Sequence, residues 1–253
     1  MEALIEWARW LYEDTGINLP FIYDDFDRNR FIQGFKVTVH LSLTCMVFSV
    51  FIGVIGAWLQ GSQMRIVRLV VQGYIQFFRN TPPLVQILFF YFGIGNAFEG
   101  WGLIPTYDAG GWQEPIIGNF GWAVISLSFV AGSFNVEVFR SGIEAVPSAT
   151  REAAESLGLN KLQTFIYVVF PLAFRVCQPA LNNNLVNLVK TTTYAYVIAV
   201  PEMLYMANQM WSDNVNVPEM MTLLFVVYVG LIAVLVSILH TWEVRLQLPG
   251  FKQ

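Results

Sequence analysis

A chain of 253 residues that is 55% hydrophobic and only 13% charged departs from soluble domains, in which about a quarter of residues carry charge. Its net charge of −4 argues against a nucleic-acid partner. The 21 Phe, 10 Tyr and 8 Trp suit lipid contact and interfacial aromatic belts, so the class is an integral membrane protein.

Residues 1–30 hold seven acids and three arginines. Leu4, Ile5, Ala8, Leu11 and Tyr12 fall at helical spacing with Trp7 and Trp10 beside them, which predicts a short amphipathic helix on the membrane surface. The acidic start has no basic region followed by an apolar run, and is not expected to be a cleaved signal peptide. Pro20 and the cluster Asp24, Asp25, Asp27 predict a polar loop. A first span follows over about 34–60, with Ser49, Gly53 and Ala57 every fourth residue, a spacing that lets helix backbones approach closely in lipid. A second span, about 65–95, is broken by Thr81-Pro82-Pro83, which removes two amide donors and pushes Thr81 out of helical geometry. A polar connection runs from 96 to 119, and a third span from about 120 to 143.

The stretch 144–162 is polar and contains REAAESLGLN, which reads as a small helix with Gly158 at its C-cap. Beyond it we expect a short amphipathic helix (162–174), a fourth span (178–194), a re-entering apolar piece (195–206) and a last span (219–242). Cys45 and Cys177 lie in apolar stretches without metal-ligand spacing and read as small core residues.

Five spans place alternate connections on opposite sides. One side collects Arg65, Arg68, Arg140, Arg151, Lys161, Arg175, Arg245 and Lys252. Connections 96–119 and 207–218 contain no Lys or Arg. The positive-inside rule then puts the REAAESLG helix and the C-terminus in the cytoplasm and the N-terminus outside.

Catalytic machinery is missing from the pattern. No phosphate-binding GxxxxGK[ST] loop occurs, the only histidines are His40 and His240, and no nucleophile–base pair stands out. If transport consumes ATP, another subunit must bind it. Asn183, Asn187 and Lys190 are spaced i, i+4, i+7 and share one helix face, and Arg79 sits before the double-proline break. Amides and cations in a span must face protein, water or a ligand. They fit substrate contact, with Lys190 or Arg79 pairing a carboxylate, and equally fit bonding to backbone freed by Pro179 and Thr-Pro-Pro, or subunit contact. Glu137 and Arg140 read as an intrahelical pair. Glu202 fits either an outer gate or a helix cap. The polar helix between spans fits either an ordinary loop helix or a dock, with Ala153, Ala154 and Gly158 letting another surface approach.

REAAESLGLNKLQTFIYVVFPLA resembles the EAA motif, here Glu152, Ala153, Ala154, Gly158 and Pro171. That motif marks permease subunits of ATP-binding-cassette importers. FRNTPPLVQILFFYFGIG and FNVEVFRSGIEAVPSATREAA are similar to two further signatures of the family's polar amino-acid branch. The resemblance covers about 34–243. The family often has Gly-Gln where this chain has Ala149-Thr150, and Lys-Asp-Thr-Ser where it has Lys190-Thr191-Thr192-Thr193, so no charge contact carries over at Thr191.

The resemblance implies an all-α type I importer permease with five transmembrane helices and a cytoplasmic coupling helix. Its segments are an extracytoplasmic amphipathic stretch 1–33, a permease domain 34–243 with the coupling loop at 144–177, and a cytoplasmic tail 244–253. Glu152, Ala153, Ala154 and Gly158 would seat in an ATPase dimer that holds the ATP and Mg. A second permease subunit, with a lean to an unlike one, and a periplasmic or extracellular amino-acid-binding protein complete the partners in a bacterial inner membrane. A stand-alone secondary transporter is the competing class. It more typically shows repeated halves and needs no cytoplasmic dock. A purely structural scaffold would not need Arg79 or the Asn183/Asn187 face.

Overall fold

The computed structural model describes residues 2–108 and 113–246; the expected tail beyond 246, Lys252 included, lies outside the described residues. The chain divides into two compact units. The first comprises Met1–Thr44, Leu84–Ser126 and Val189–Ala233, the second Cys45–Pro83, Leu127–Leu188 and Val234–Gln253. In chain order the elements are α1 (Glu2–Thr15), α2 (Pro20–Tyr23), α3 (Asp25–Gln60), α4 (Arg65–Asn80), α5 (Pro83–Leu88), a π-helical turn at Phe89–Gly95, and α6 (Asn96–Gly100). A hairpin of β1 (Thr106–Asp108) and β2 (Gln113–Pro115) follows, then α7 (Asn119–Glu144), α8 (Ser148–Ser156) and α9 (Lys161–Thr164). After a second π turn at Phe165–Val169 come α10 (Phe170–Thr191), a 3-10 stretch at Thr192–Ile198, α11 (Met203–Asn214) and α12 (Val217–Leu246).

Among the described residues four helical runs are long and apolar enough to cross a membrane: Asp25–Gln60, Asn119–Glu144, Lys161–Ile198 and Val217–Arg245. The second expected span is not one of them: the break at Thr81-Pro82 divides it into α4, of 16 residues, and a helical run from Pro83 through the π turn into α6, whose end Asn96–Gly100 is polar. The break falls where the double proline put it: Thr81 is extended (φ −118°, ψ 144°), as a residue before proline must be. Three expectations need correction. Asp25 and Asp27 open α3 rather than lying in a loop, where carboxylates suit the positive end of the helix dipole. No gap separates an amphipathic helix from a fourth span, since α10 carries Pro179 in its interior. The re-entering piece is a 3-10 end, a left-handed Ala199 and the start of α11.

The first unit packs α11 on α12. Met203, Ala207 and Met210 meet Met220 and Leu224, with Phe21, Phe31 and Tyr228 around them. Gly34 makes room for α3, since a Cβ there would stand 3.0 Å from the Met203 Cα. Glu202 is fully buried and caps α11, accepting from the Leu204 and Tyr205 amides at 2.9 Å each and from the Tyr228 hydroxyl at 3.2 Å. The hairpin sets Tyr107 opposite Glu114; the phenol donates to that carboxylate at 3.0 Å, which holds the hydroxyl above the usual phenol range.

The second unit is built on close approach of α3 and α7. A Cβ on Gly53 would meet the Asn135 Cβ at 2.5 Å, and one on Gly56 would meet Val136 Cγ2 at 2.3 Å. Ala57, Phe139, Cys177, Leu181 and Leu185 form the adjoining core. The small-residue spacing on α3 therefore marks a real backbone contact, and both cysteines are buried, neither of them in a disulfide.

Candidate functional site

The second unit contains an open cavity of about 440 Å³ lined by Arg79, Phe134, Glu137, Val138, Ser141, Ala180, Asn183, Asn184 and Asn187. Its volume lies within the range of small-molecule sites. Three helices build it. Arg79 comes from the last turn of α4, just before the proline break. The α7 residues are Phe134, Glu137, Val138 and Ser141, at helical spacing, and the α10 residues are Ala180, Asn183, Asn184 and Asn187.

Its charges form a chain. Arg140 holds Glu137 through two nitrogens, Nη2 at 3.0 Å and Nε at 3.3 Å, and Glu144 through Nη1 at 2.8 Å. Arg79 Nη1 stands 3.8 Å from the same Glu137 carboxylate, and its guanidinium carbon lies 5.3 Å from the Phe134 ring centre, a cation–π distance. The Arg79 side chain carries no hydrogen bond among the described residues, so its donors face the cavity unspent. The amides of Asn183 and Asn187 are in the same condition. Asn184 is anchored: its Nδ2 donates to Asn135 Oδ1 at 2.6 Å and to the Ala131 carbonyl at 3.0 Å. Asn135, fully buried, donates onward to Ser49 Oγ at 3.2 Å.

Of the sequence-nominated polar residues, the structure brings Arg79, Asn183 and Asn187 to one cavity. Lys190 belongs to the first unit and is exposed. Sequence reading missed Asn184 and the Asn135–Ser49 link behind it. The signal was present, since a neutral amide inside the apolar run FNVEVF needs a partner in lipid. It also missed that Glu137 has a second arginine.

The second candidate surface is α8. Leu157, Gly158 and Leu159 close it by the paired bonds of a Schellman turn: the Gly158 amide reaches the Glu155 carbonyl at 3.0 Å and the Leu159 amide reaches Ala154 at 3.3 Å. Gly158 has φ +87°. Asn160 and Gln163 then start α9 with a reciprocal capping box. Arg151 binds α8 back to the end of α7, donating to the Ile143 carbonyl at 2.5 Å. Ala154 packs inward, while Glu152, Ala153 and Gly158 are exposed. The most prominent apolar group is one the sequence reading did not nominate, Leu157, 83% exposed.

Residues 49–246 match the family described as "Binding-protein-dependent transport system inner membrane component". The histidine/lysine/arginine/ornithine transport system permease protein HisQ of Salmonella typhimurium is 31% identical over 171 residues, 68% of this chain and 73% of that protein. The glutamine transport system permease protein GlnP of Escherichia coli is 27% identical over 217 residues, 86% of this chain and 93% of that protein. Among solved structures, an amino acid ABC transporter with histidines aligns with a TM-score of 0.73 at 25% identity, covering 90% of this chain and 99% of that one.

Proposed function

The chain belongs to the family of binding-protein-dependent transport system inner membrane components, and from that membership we propose that it walls the translocation path of an importer for polar amino acids. The observation that carries this is the cavity, in which the free donors of Arg79 and the free amides of Asn183 and Asn187 converge. An amino acid presents a carboxylate, which a guanidinium pairs well, and hydrogen-bonding groups that amides match. The named cargoes of the relatives, basic amino acids and glutamine, support the substrate class. Family membership favours the importer over the stand-alone transporter.

In this reading the cavity is one wall of a path that a second permease subunit completes; Lys190, exposed in the first unit, remains a candidate cargo contact. Arg79, Asn183 and Asn187 touch cargo in passing. Glu152, Ala153, Gly158 and the exposed Leu157 seat in a separate ATPase, which holds ATP and Mg; Ala154 fixes α8 from behind. ATP binding draws the ATPase pair together, the α8 helices follow, and the spans rearrange between two packings of similar energy. The family's description as an inner membrane component supports that membrane as the location, and the positive-inside rule supports the orientation. Residues 144–177 and the tail lie in the cytoplasm; residues 1–33 lie outside, with Trp7 and Trp10 at the lipid interface. A soluble binding protein delivers cargo from outside.

Disulfide trapping tests the coupling half of this. A cysteine at Leu157 is expected to cross-link to a cysteine in the groove of the co-expressed ATPase, with a yield that changes when ATP is added. A yield indifferent to ATP contradicts the coupling role.

A further inference from the structure

The turn Asn214–Val215–Asn216 is built against the preferences of its residues. Val215 has φ +54° and ψ +33°, the left-handed conformation that is a genuine outlier for a β-branched residue. It closes α11, its amide donating to the Trp211 carbonyl at 2.9 Å. Glycine or asparagine is the usual residue at such a helix end, and asparagines stand on both sides of it. Both are committed elsewhere. Asn214 Nδ2 donates to Asp27 at 2.9 Å and to the Met210 carbonyl at 3.0 Å, and Asn216 Nδ2 donates to the Asn18 carbonyl at 2.9 Å. These bonds pin the turn from both flanks, and Val215 projects with 87% of its surface exposed. Strain of this kind persists where neighbours over-determine it, and it clusters at ligand clamps and switch regions.

The surroundings indicate what covers the valine. Segment 207–218 is too polar for hydrocarbon, with Asn208, Gln209, Ser212, Asp213 and Asn214 in it. At this turn Arg30 meets two acids, Asp213 at 2.6 Å and Asp27 at 3.5 Å, while Glu219 accepts from the Asn18 amide at 3.3 Å, so acids exceed bases here as they do in the first unit as a whole, thirteen against five. An acidic surface repels anionic lipid headgroups and complements a basic protein surface.

We infer that Val215 is an apolar knob that docks this chain to the soluble binding protein, seating in a small apolar socket with a basic rim. The inference rests on the importer reading and on the outward placement of 207–218. The pinned turn presents the knob in a fixed orientation, which cuts the ordering lost on docking. The acids around it steer a basic partner at a rate that falls with salt.

Photocross-linking reads the contact directly. Cys45 and Cys177 are buried, so a Val215→Cys chain takes a benzophenone label at that position. The complete complex in nanodiscs is irradiated with the purified, amino-acid-loaded binding protein of the same system. An adduct with that protein, stronger at low ionic strength, is the expected result; an adduct with lipid only, or none, overturns the inference. Two variants supply a second readout. Val215→Gly and Val215→Asn both relieve the backbone strain, so they melt at or above the parent temperature. The binding-protein concentration giving half-maximal ATPase stimulation is expected to rise about tenfold, as for the loss of an interface anchor, with the rate at saturation unchanged. An unchanged half-maximal concentration overturns the inference. Absence of stimulation in the unmodified complex at every concentration instead brings down the importer reading on which it rests.

Discussion

Arg79 Nη1 stands 3.8 Å from Glu137 Oε2, inside ion-pair range and outside hydrogen-bond range, while Arg140 holds the same carboxylate at 3.0 Å. Glu137 is thus committed to its helix neighbour, and Arg79 is held near it by charge alone. The arrangement keeps one guanidinium positioned, with its donors open to the cavity.

Removal of that guanidinium separates transport from stability. Partly exposed ion pairs contribute about 0–1 kcal/mol, so Arg79→Ala is expected to leave melting and co-purification of the ATPase nearly unchanged. Uptake is expected to fall tenfold or more. Parental uptake in the variant would remove Arg79 from the path.

Asn135 acts behind the cavity wall. Asn135→Ala takes away the acceptor of Asn184 and the donor to Ser49. Hydrogen bonds between helices in a membrane average about 0.6 kcal/mol and reach about 1.7, so the variant is expected to lose about 1–2 kcal/mol. Asn184, then held by the Ala131 carbonyl alone, should raise the apparent KM for uptake more than it lowers the maximal rate. Chemical denaturation in detergent measures the first, and initial uptake rates at graded cargo concentrations the second.

Close packing of α3 on α7 makes Gly53 and Gly56 intolerant of any side chain. A Cβ at Gly56 would fall 2.3 Å from Val136 Cγ2, so Gly56→Ala must push the helices apart. Overpacking of this kind costs about 1–3 kcal/mol. Gly73, with open space around its Cβ position, is the control: Gly73→Ala is expected to be neutral or slightly stabilising, because alanine favours a helix by up to about 1 kcal/mol. Equal melting of the two variants would contradict the packing described.

At the end of α8, shape and contact are separable. Gly158→Ala forces a side chain into φ +87° and is expected to cost about 1 kcal/mol through the turn. Leu157→Ser, at an exposed position, should leave melting unchanged yet reduce co-purification of the ATPase. If Leu157→Ser binds the ATPase as the parent does, α8 docks through other groups.

The parts of this architecture legible in the sequence are those set by local chemistry. The double-proline break after Arg79, the small-residue face at Ser49, Gly53 and Ala57, and the Gly158 helix end each follow from one or two residues and their backbone limits. The shared helix face of Asn183 and Asn187 followed from spacing alone. Pro179 misled, because a proline inside a span is accommodated when neighbouring groups satisfy the freed backbone, and sequence does not show the neighbours. Asn184, Asn135 and Ser49 come from three helices far apart in the chain, so their link depends on packing. Val215 was invisible for the opposite reason: a valine between two asparagines gives no sign that the valine takes the left-handed position.

The most direct measurement is uptake of labelled amino acids into proteoliposomes. They would hold this chain with its partner permease and ATPase, with the binding protein outside and ATP inside. The account predicts uptake that requires both ATP and the binding protein and is lost when Arg79 is replaced by alanine. Uptake driven by an ion gradient, without ATP or binding protein, would contradict it.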